Sequence, residues 1–182
     1  MKIPTPIIET ENLLIRPYGL RDAGPLFKMM KANRADLIHT FPLSVRGTLS
    51  LMKTRKYVLE KQGERRAGTL IVCGIFLQPE EKLVGHVVLT KFDWSVPKCD
   101  LGYFIASEYA GKGLATQTAR LISQWGFQNL KLEKITMRIW PGNAASIKVA
   151  QKLGAREAGL AKRDFRSFDG KLMDCVYYEL YR

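Results

Sequence analysis

The chain is poor in the residue types that most often carry metal or nucleophilic chemistry. Its 182 residues include two histidines, His39 and His86, and three cysteines, Cys73, Cys99 and Cys175. No C-x-x-C pair occurs, so neither a zinc site nor any other resident metal is expected. A nucleophilic cysteine needs a base beside it, and two histidines offer little choice. Each cysteine sits in an apolar run, which reads as a small buried residue in reduced, cytoplasmic surroundings. The longest apolar stretch, Leu70 to Leu77, is far too short to span a membrane. Met1-Lys-Ile-Pro-Thr-Pro lacks the charged, apolar, small-residue order of an export signal. Internal repeats, linkers and low-complexity tracts are absent. A single domain over residues 1–182 is therefore expected.

Charge is what the chain has in excess. Twenty-nine lysines and arginines against 17 acidic residues leave a net charge of +12. That balance favours anionic partners: nucleic acid, an anionic surface or a polyanionic cofactor. No run reaches five or six like charges, however, and the densest spots, 53–56, 65–66 and 163–166, also read as solvated faces. A hydrophobic content of 46% with 25% charged residues indicates a folded, globular chain.

The pattern along the chain alternates between periods of 2 and 3.6. Leu13–Pro17 reads as a strand, and Asp22 as the N-cap of a helix through Ala32. Residues 33–43 look irregular. A basic helix is expected over 46–62, with Leu51, Val58 and Leu59 inward and Gly63 as its stop. Residues 69–77, 83–91 and 98–106 form an antiparallel meander of three strands, the first two joined by 78–82. A helix over 113–129 carries an inward stripe of Leu114, Thr118, Leu121, Ile122 and Trp125. A strand follows at 134–140, then a helix capped by Asn143 and closed by Gly154. Two last strands, 156–165 and 171–180, flank a turn with Asp169-Gly170. One α+β domain fits this order: a mixed, mostly antiparallel twisted sheet flanked by about four helices.

The densest chemical signal is Ala110-Gly111-Lys112-Gly113-Leu114-Ala115-Thr116, between a strand and a helix. Glycines let the backbone approach an anion, and a helix N-terminus adds unpaired N–H donors and a positive dipole end. Such a turn also arises for steric reasons alone. A dinucleotide fingerprint needs a third glycine and a later acidic residue, and a P-loop needs G-K-S/T at longer spacing. Neither pattern is present.

Here the chain resembles the GNAT acetyltransferases. Gly111-Lys-Gly-Leu-Ala-Thr116 is similar to their Q/R-x-x-G-x-G/A acetyl-CoA loop, with Ala110 where the pattern has Gln or Arg. Asn143-Ala-Ala-Ser146, followed by Leu153-Gly154-Ala155, resembles their second cofactor motif. Asp100-Leu-Gly-Tyr-Phe-Ile and Asp174-Cys-Val-Tyr-Tyr-Glu resemble the Rim-type branch that acetylates ribosomal-protein N-termini. The likeness covers nearly the whole chain, from about residue 8 onward.

The resemblance implies acetyl-CoA as cosubstrate, its pyrophosphate held by backbone N–H groups of Ala110, Gly111, Lys112, Gly113, Leu114, Ala115 and Thr116. Because those contacts are mostly from the backbone, Ala110 is compatible with binding. It also implies a splayed parallel strand pair, about 98–106 and 134–140, with a bulge eased by Gly102 and backbone contacts from Phe104 and Ile105 to the pantetheine arm. Asn143, a helix cap in its own right, is implied to bond the arm as well. Ser146 is implied to lie near the thioester sulfur, where its hydroxyl can protonate the leaving thiolate.

Asp100 occupies the strand position where several GNAT enzymes carry a catalytic Glu. Its alternative reading is a strand-end carboxylate paired with a lysine. Asp164 is a second candidate base. Phe41 and Trp94 are candidate walls for the acceptor, or ordinary core.

The expected reaction is direct attack of a primary amine on the thioester through a tetrahedral intermediate. The acceptor is the α-amine of a protein, ribosomal proteins included, or a small amine such as a polyamine or aminoglycoside. A +12 chain repels cationic acceptors at long range, so either reading requires a locally acidic mouth. A basic nucleic-acid-binding module is the alternative from another class; it has no RNP-type or zinc motif behind it and predicts steep salt dependence of binding. Self-association is left open.

Overall fold

The computed structural model describes residues 3–182. Eight strands among them form one sheet in the order β1-β2-β3-β4-β5-β6-β8-β7. These are β1 (Ile8–Glu9), β2 (Leu13–Pro17), β3 (Ile71–Leu77), β4 (Lys82–Asp93), β5 (Lys98–Ile105), β6 (Lys134–Ile139), β7 (Arg156–Arg166) and β8 (Leu172–Tyr181). Every neighbouring pair is antiparallel except β5–β6, which are joined by a helical crossover, as parallel strands require.

Six helices accompany the sheet among the described residues: α1 (Ala23–Ala32), α2 (Arg34–Leu37), α3 (Pro42–Gly47), α4 (Leu51–Ala67), α5 (Leu114–Asn129) and α6 (Ala144–Lys152). That is two more than the helical periodicity predicts, because 33–47 is not irregular. It holds the two short helices α2 and α3, each under two turns and too brief to show a period. Strand β3 is buried from Ile71 to Phe76, which fits its unbroken apolar run, and β4 is buried at its centre, over Val84–Val87 and at Leu89.

Several local expectations change. Asp22 stands at the N-cap position of α1, but its side chain makes no capping bond. Its Oδ2 accepts from Arg16 Nη1 at 2.7 Å and from the Gly19 amide at 2.7 Å, so the carboxylate is spent on a paired arginine and a turn. The second long helix begins at Leu51 with Ser50 as N-cap, Oγ accepting the Lys53 amide at 3.2 Å. It passes through Gly63 and ends at Gly68, where φ is +77° and the amide donates to Arg65 and Glu64 carbonyls. Its inward face is Thr54, Tyr57 and Val58, whereas Leu51 and Leu59 are 40% and 53% exposed. On α5, Leu114, Thr118 and Ile122 are buried as expected. Ala119, Ser123 and Gly126 complete that face, and Leu121 and Trp125 sit at its rim.

The bulge is also elsewhere. Gly102 pairs in register with Val88, and the register breaks between Thr90 and Asp93 on β4. What Gly102 provides is room: a Cβ there would stand 3.1 Å from Val88 Cγ1 and 3.4 Å from the Phe41 ring.

Candidate active site

The site begins where two strands part. β5 and β6 pair only at Lys98–Lys134, Cys99–Ile135 and Asp100–Thr136. Beyond that rung β5 runs on to Ile105 and β6 to Ile139 with no ladder between them. The expected splay is present, and Phe104 and Ile105 lie on its unpaired stretch. A cleft of about 820 Å³ opens there and reaches both faces of the sheet.

On one face lies the glycine turn. A 3-10 turn, Ser107–Tyr109, ends β5, and Ala110 is extended. Gly111 and Gly113 follow with φ of +78° and +77°. A Cβ at either position would meet nothing within 4 Å, so glycine is needed for backbone hand and not for space. Gly113 is the N-cap of α5 and offers no side chain, and the first intrahelical bond is from Gln117 N to the Gly113 carbonyl. The preceding amides of the first turn are therefore left for a ligand, and no acidic residue opposes an anion there.

Ala110, Gly111, Gly113, Leu114, Ala115 and Thr116 line the cleft. Lys112 is exposed on the turn, its Nζ 5.5 Å from the centre of the Tyr109 ring. The same ring receives Lys82 at 5.1 Å.

The N-terminus of α6 faces the cleft as well. Asn143 Oδ1 accepts the Ser146 amide at 3.1 Å, so the cap is made as its sequence predicts. Both residues line the cavity.

An aromatic cluster closes the other face. Phe41 lies edge-on to Phe104, with ring centres 5.5 Å apart, and edge-on to His86 at 5.7 Å. Phe41 is a wall of the cleft. Trp94 is not: it sits in the β4–β5 turn, 36% exposed, stacked on Phe92 at 5.0 Å. Its ring is occupied by a neighbour on its own loop.

Asp100 lines the cleft between two cations, Oδ2 being 3.2 Å from Lys91 Nζ and 3.3 Å from Arg138 Nε. Arg138 continues to Asp164 at 3.4 Å, which accepts from the Tyr177 hydroxyl at 2.7 Å. This chain of charge ties β4, β5, β6, β7 and β8 together. Burial, reinforced by Asp164, pushes the Tyr177 phenol up to about 12. The pairing of Asp100 with a lysine is thus present; Arg138, which the linear pattern did not reveal, is its second partner.

Two further polar residues, Asn33 and His86, support the elements around the cleft. Asn33 Oδ1 accepts the Ser107 amide at 2.8 Å while its Nδ2 donates to the Met29 carbonyl, clamping α1 to the turn that leads into the cradle. His86 is fully buried, with Nδ1 3.0 Å from the Tyr18 hydroxyl and Nε2 3.4 Å from Ser44 Oγ. Burial, assisted by the Lys61 charge, lowers it to about 3, so it is neutral at physiological pH. Both contacts span 42 or more residues, which no local spacing encodes.

Among the described residues no trio of His, Cys, Asp or Glu is placed to hold a metal, and no helix is long and apolar enough to cross a membrane.

Comparison with known proteins agrees with this geometry. Residues 12–156 match the family described as "Acetyltransferase (GNAT) domain". The chain is 26% identical over 163 residues to the probable N-acetyltransferase YjcK of Bacillus subtilis (strain 168), covering 88% of this chain and 89% of that protein. It is 35% identical over 98 residues to the putative ribosomal N-acetyltransferase YdaF of the same organism, covering 54% and 53%. Mycobacterium smegmatis RimJ, solved in complex with CoA-disulfide, superposes with a TM-score of 0.83 at 23% identity, over 93% of this chain and 81% of that one. With the family match spanning most of its length, the chain belongs to the GNAT family of acetyl-CoA-dependent acetyltransferases.

Proposed function

We propose that the chain acetylates the N-terminal α-amine of a protein, a ribosomal protein being the class suggested by YdaF. The observation that carries this reading is the two-faced cleft, with a backbone anion cradle on one side of the splayed strands and an aromatic wall on the other. Acetyl-CoA supplies an activated acetyl group. Three free, buried cysteines fit the reducing cytoplasm as the compartment.

The residues divide the work. The amides of 111–116 and the dipole of α5 bind the pyrophosphate, with the Thr116 hydroxyl adding a donor. Phe104 and Ile105, on the stretch of β5 that has no β6 partner, meet the pantetheine arm, and Asn143 offers its side-chain amide. Ser146 gives its proton to the departing thiolate. Phe41 packs against the acceptor.

An α-amine near pKa 7.8 costs about 1.1 kcal/mol to deprotonate at pH 7, against about 4.6 for a lysine near 10.4. Water suffices as its base. Asp100, held by two cations, orders that water and does not itself take the proton. The cleft is not locally acidic, since Asp36 and Asp100 share its lining with Lys61, Arg138, Lys148 and Lys152, so the long-range repulsion of a +12 chain is not offset there.

The test is a panel of N-terminal peptides, polyamines and aminoglycosides with acetyl-CoA, read by free-thiol release. Turnover of peptides above small amines is expected. Turnover of polyamines or aminoglycosides alone replaces the protein acceptor with a small one. No thiol release from any acceptor, with no thermal shift at millimolar acetyl-CoA, defeats the donor assignment.

A further inference from the structure

The phenolic oxygen of Tyr103 is buried and has no hydrogen-bond partner among the described residues. A buried hydroxyl in this state has lost its water and gained nothing in exchange, so such groups are few and each needs a cause. Tyr103 lies on β5 opposite Val87 of β4 and three residues past Asp100, the last rung with β6. It therefore stands in the splay, as a wall of the cleft.

Ser146 faces the same cleft from the first turn of α6. Its amide is pinned by Asn143 Oδ1 at 3.1 Å, which fixes where its side chain starts but not where its hydroxyl proton points. The serine stands beside the phenol, near enough to ease its ionisation, while burial pushes that ionisation up to about 12. The hydrogen bond between them is not closed. A phenol so hard to ionise keeps its proton near neutral pH, and can donate it in a hydrogen bond.

We infer that Tyr103 is a positioning residue for Ser146, its O–H donating to Ser146 Oγ so that the single serine proton is turned toward the thioester sulfur. This rests on Ser146 as the proton donor. As nitrogen bonds to the carbonyl carbon and the C–S bond breaks, the electron pair goes to sulfur and the Ser146 proton follows. Negative charge then grows on Ser146 Oγ, where the Tyr103 hydrogen bond stabilises it. The serine recovers a proton from solvent, which has received one from the attacking nitrogen, and Tyr103 retains its own. The bond is stronger in the transition state than in the ground state, so it acts on kcat and leaves cofactor binding alone.

The experiment is a double-mutant cycle of Tyr103→Phe and Ser146→Ala, with kcat, KM for acetyl-CoA and Tm measured for each. Tyr103→Phe keeps the ring and removes the donor. Its kcat is expected to fall about 10-fold or more with KM unchanged, while Tm holds or rises because an unpartnered buried hydroxyl is gone. In the Ser146→Ala background the same change should do nothing further. Wild-type kcat in Tyr103→Phe alongside a slow Ser146→Ala overturns this inference and spares the assignment of Ser146. An equal fall in both backgrounds also overturns it, since Tyr103 then acts independently. Wild-type kcat in Ser146→Ala removes the proton-donor assignment itself, and this inference with it.

Discussion

Asp100 on β5 and Arg138 on β6 are joined across the splay, Oδ2 to Nε at 3.3 Å, just where the ladder between their strands has ended. The ion pair does what the missing backbone bonds do not, and it does so with side chains that are both about one-fifth exposed. A carboxylate serving as that tie is a poor choice for shuttling protons. Asp100→Asn should therefore raise the acceptor KM about 3–10-fold and lower kcat less than 10-fold. It should also cost about 1–2 kcal/mol of stability, since a half-buried arginine loses one of its two acidic partners. A loss of kcat above 100-fold, with the acid limb of the pH profile abolished, would make Asp100 the base after all.

Gly113 has φ +77° and caps α5 with nothing but backbone. Gly113→Asp should add about 1–2 kcal/mol of strain and bring a negative charge to the amides that receive the pyrophosphate. Calorimetric titration with acetyl-CoA should show affinity reduced 10-fold or more. Gly113→Ala, which adds strain without charge, should lose much less. Equal losses in the two variants would show that backbone hand, and not electrostatics, dominates the cradle.

Asn143 both caps α6 and pins the Ser146 amide. Asn143→Ala should destabilise the protein by about 1 kcal/mol. Asn143→Asp should keep the cap, and with it Tm, yet weaken coenzyme binding through the lost amide donor and the added charge. An unchanged Kd for coenzyme A in Asn143→Asp would confine the residue to capping.

His86 couples stability to pH. Its folded pKa, about 3, lies below the unfolded value of 6.5, so the unfolded chain binds the proton more readily. For a base shifted this way the stabilisation is complete above pH 6.5 and is lost as pH falls from 6.5 toward 3. Between pH 7 and 4.5 the loss attributable to this group is roughly 2–3 kcal/mol. Denaturant midpoints at both pH values, compared with those of His86→Phe, should show the variant less sensitive by about that amount. Parallel pH dependence in the two proteins would mean that His86 is not the coupling group.

The cradle was readable in the chain because everything it needs is local. An alternating strand, two glycines two residues apart and a helix with a 3.6 period lie within some thirty residues, and each signal survives without tertiary context. The Asn143 cap is legible for the same reason. Helix α4 starts and ends several residues later than the periodicity predicts, since Ser50 and Gly68 are ordinary turn residues until the buried face of Thr54, Tyr57 and Val58 decides which turns count. Asp22 could not be separated from a cap without Arg16 in view, nor Asp100 from a base without Arg138. Trp94 reads as a wall from its loop alone, and its stacking on Phe92, away from the cleft lining, removes it. What stayed hidden is what depends on pairs far apart in the chain.

The rung at Asp100 and Thr136 also gives this sheet an edge in its interior, in addition to β1 and β7 at its margins. Along 101–105, alternate N–H and C=O groups turned toward β6 have no strand to pair with. Amide exchange there should be fast in the empty protein and slow once an extended ligand lies in the gap, though nothing in the fold has moved. Such a ligand displaces solvent and breaks no rung. The sheet is, in that sense, one strand short between β5 and β6.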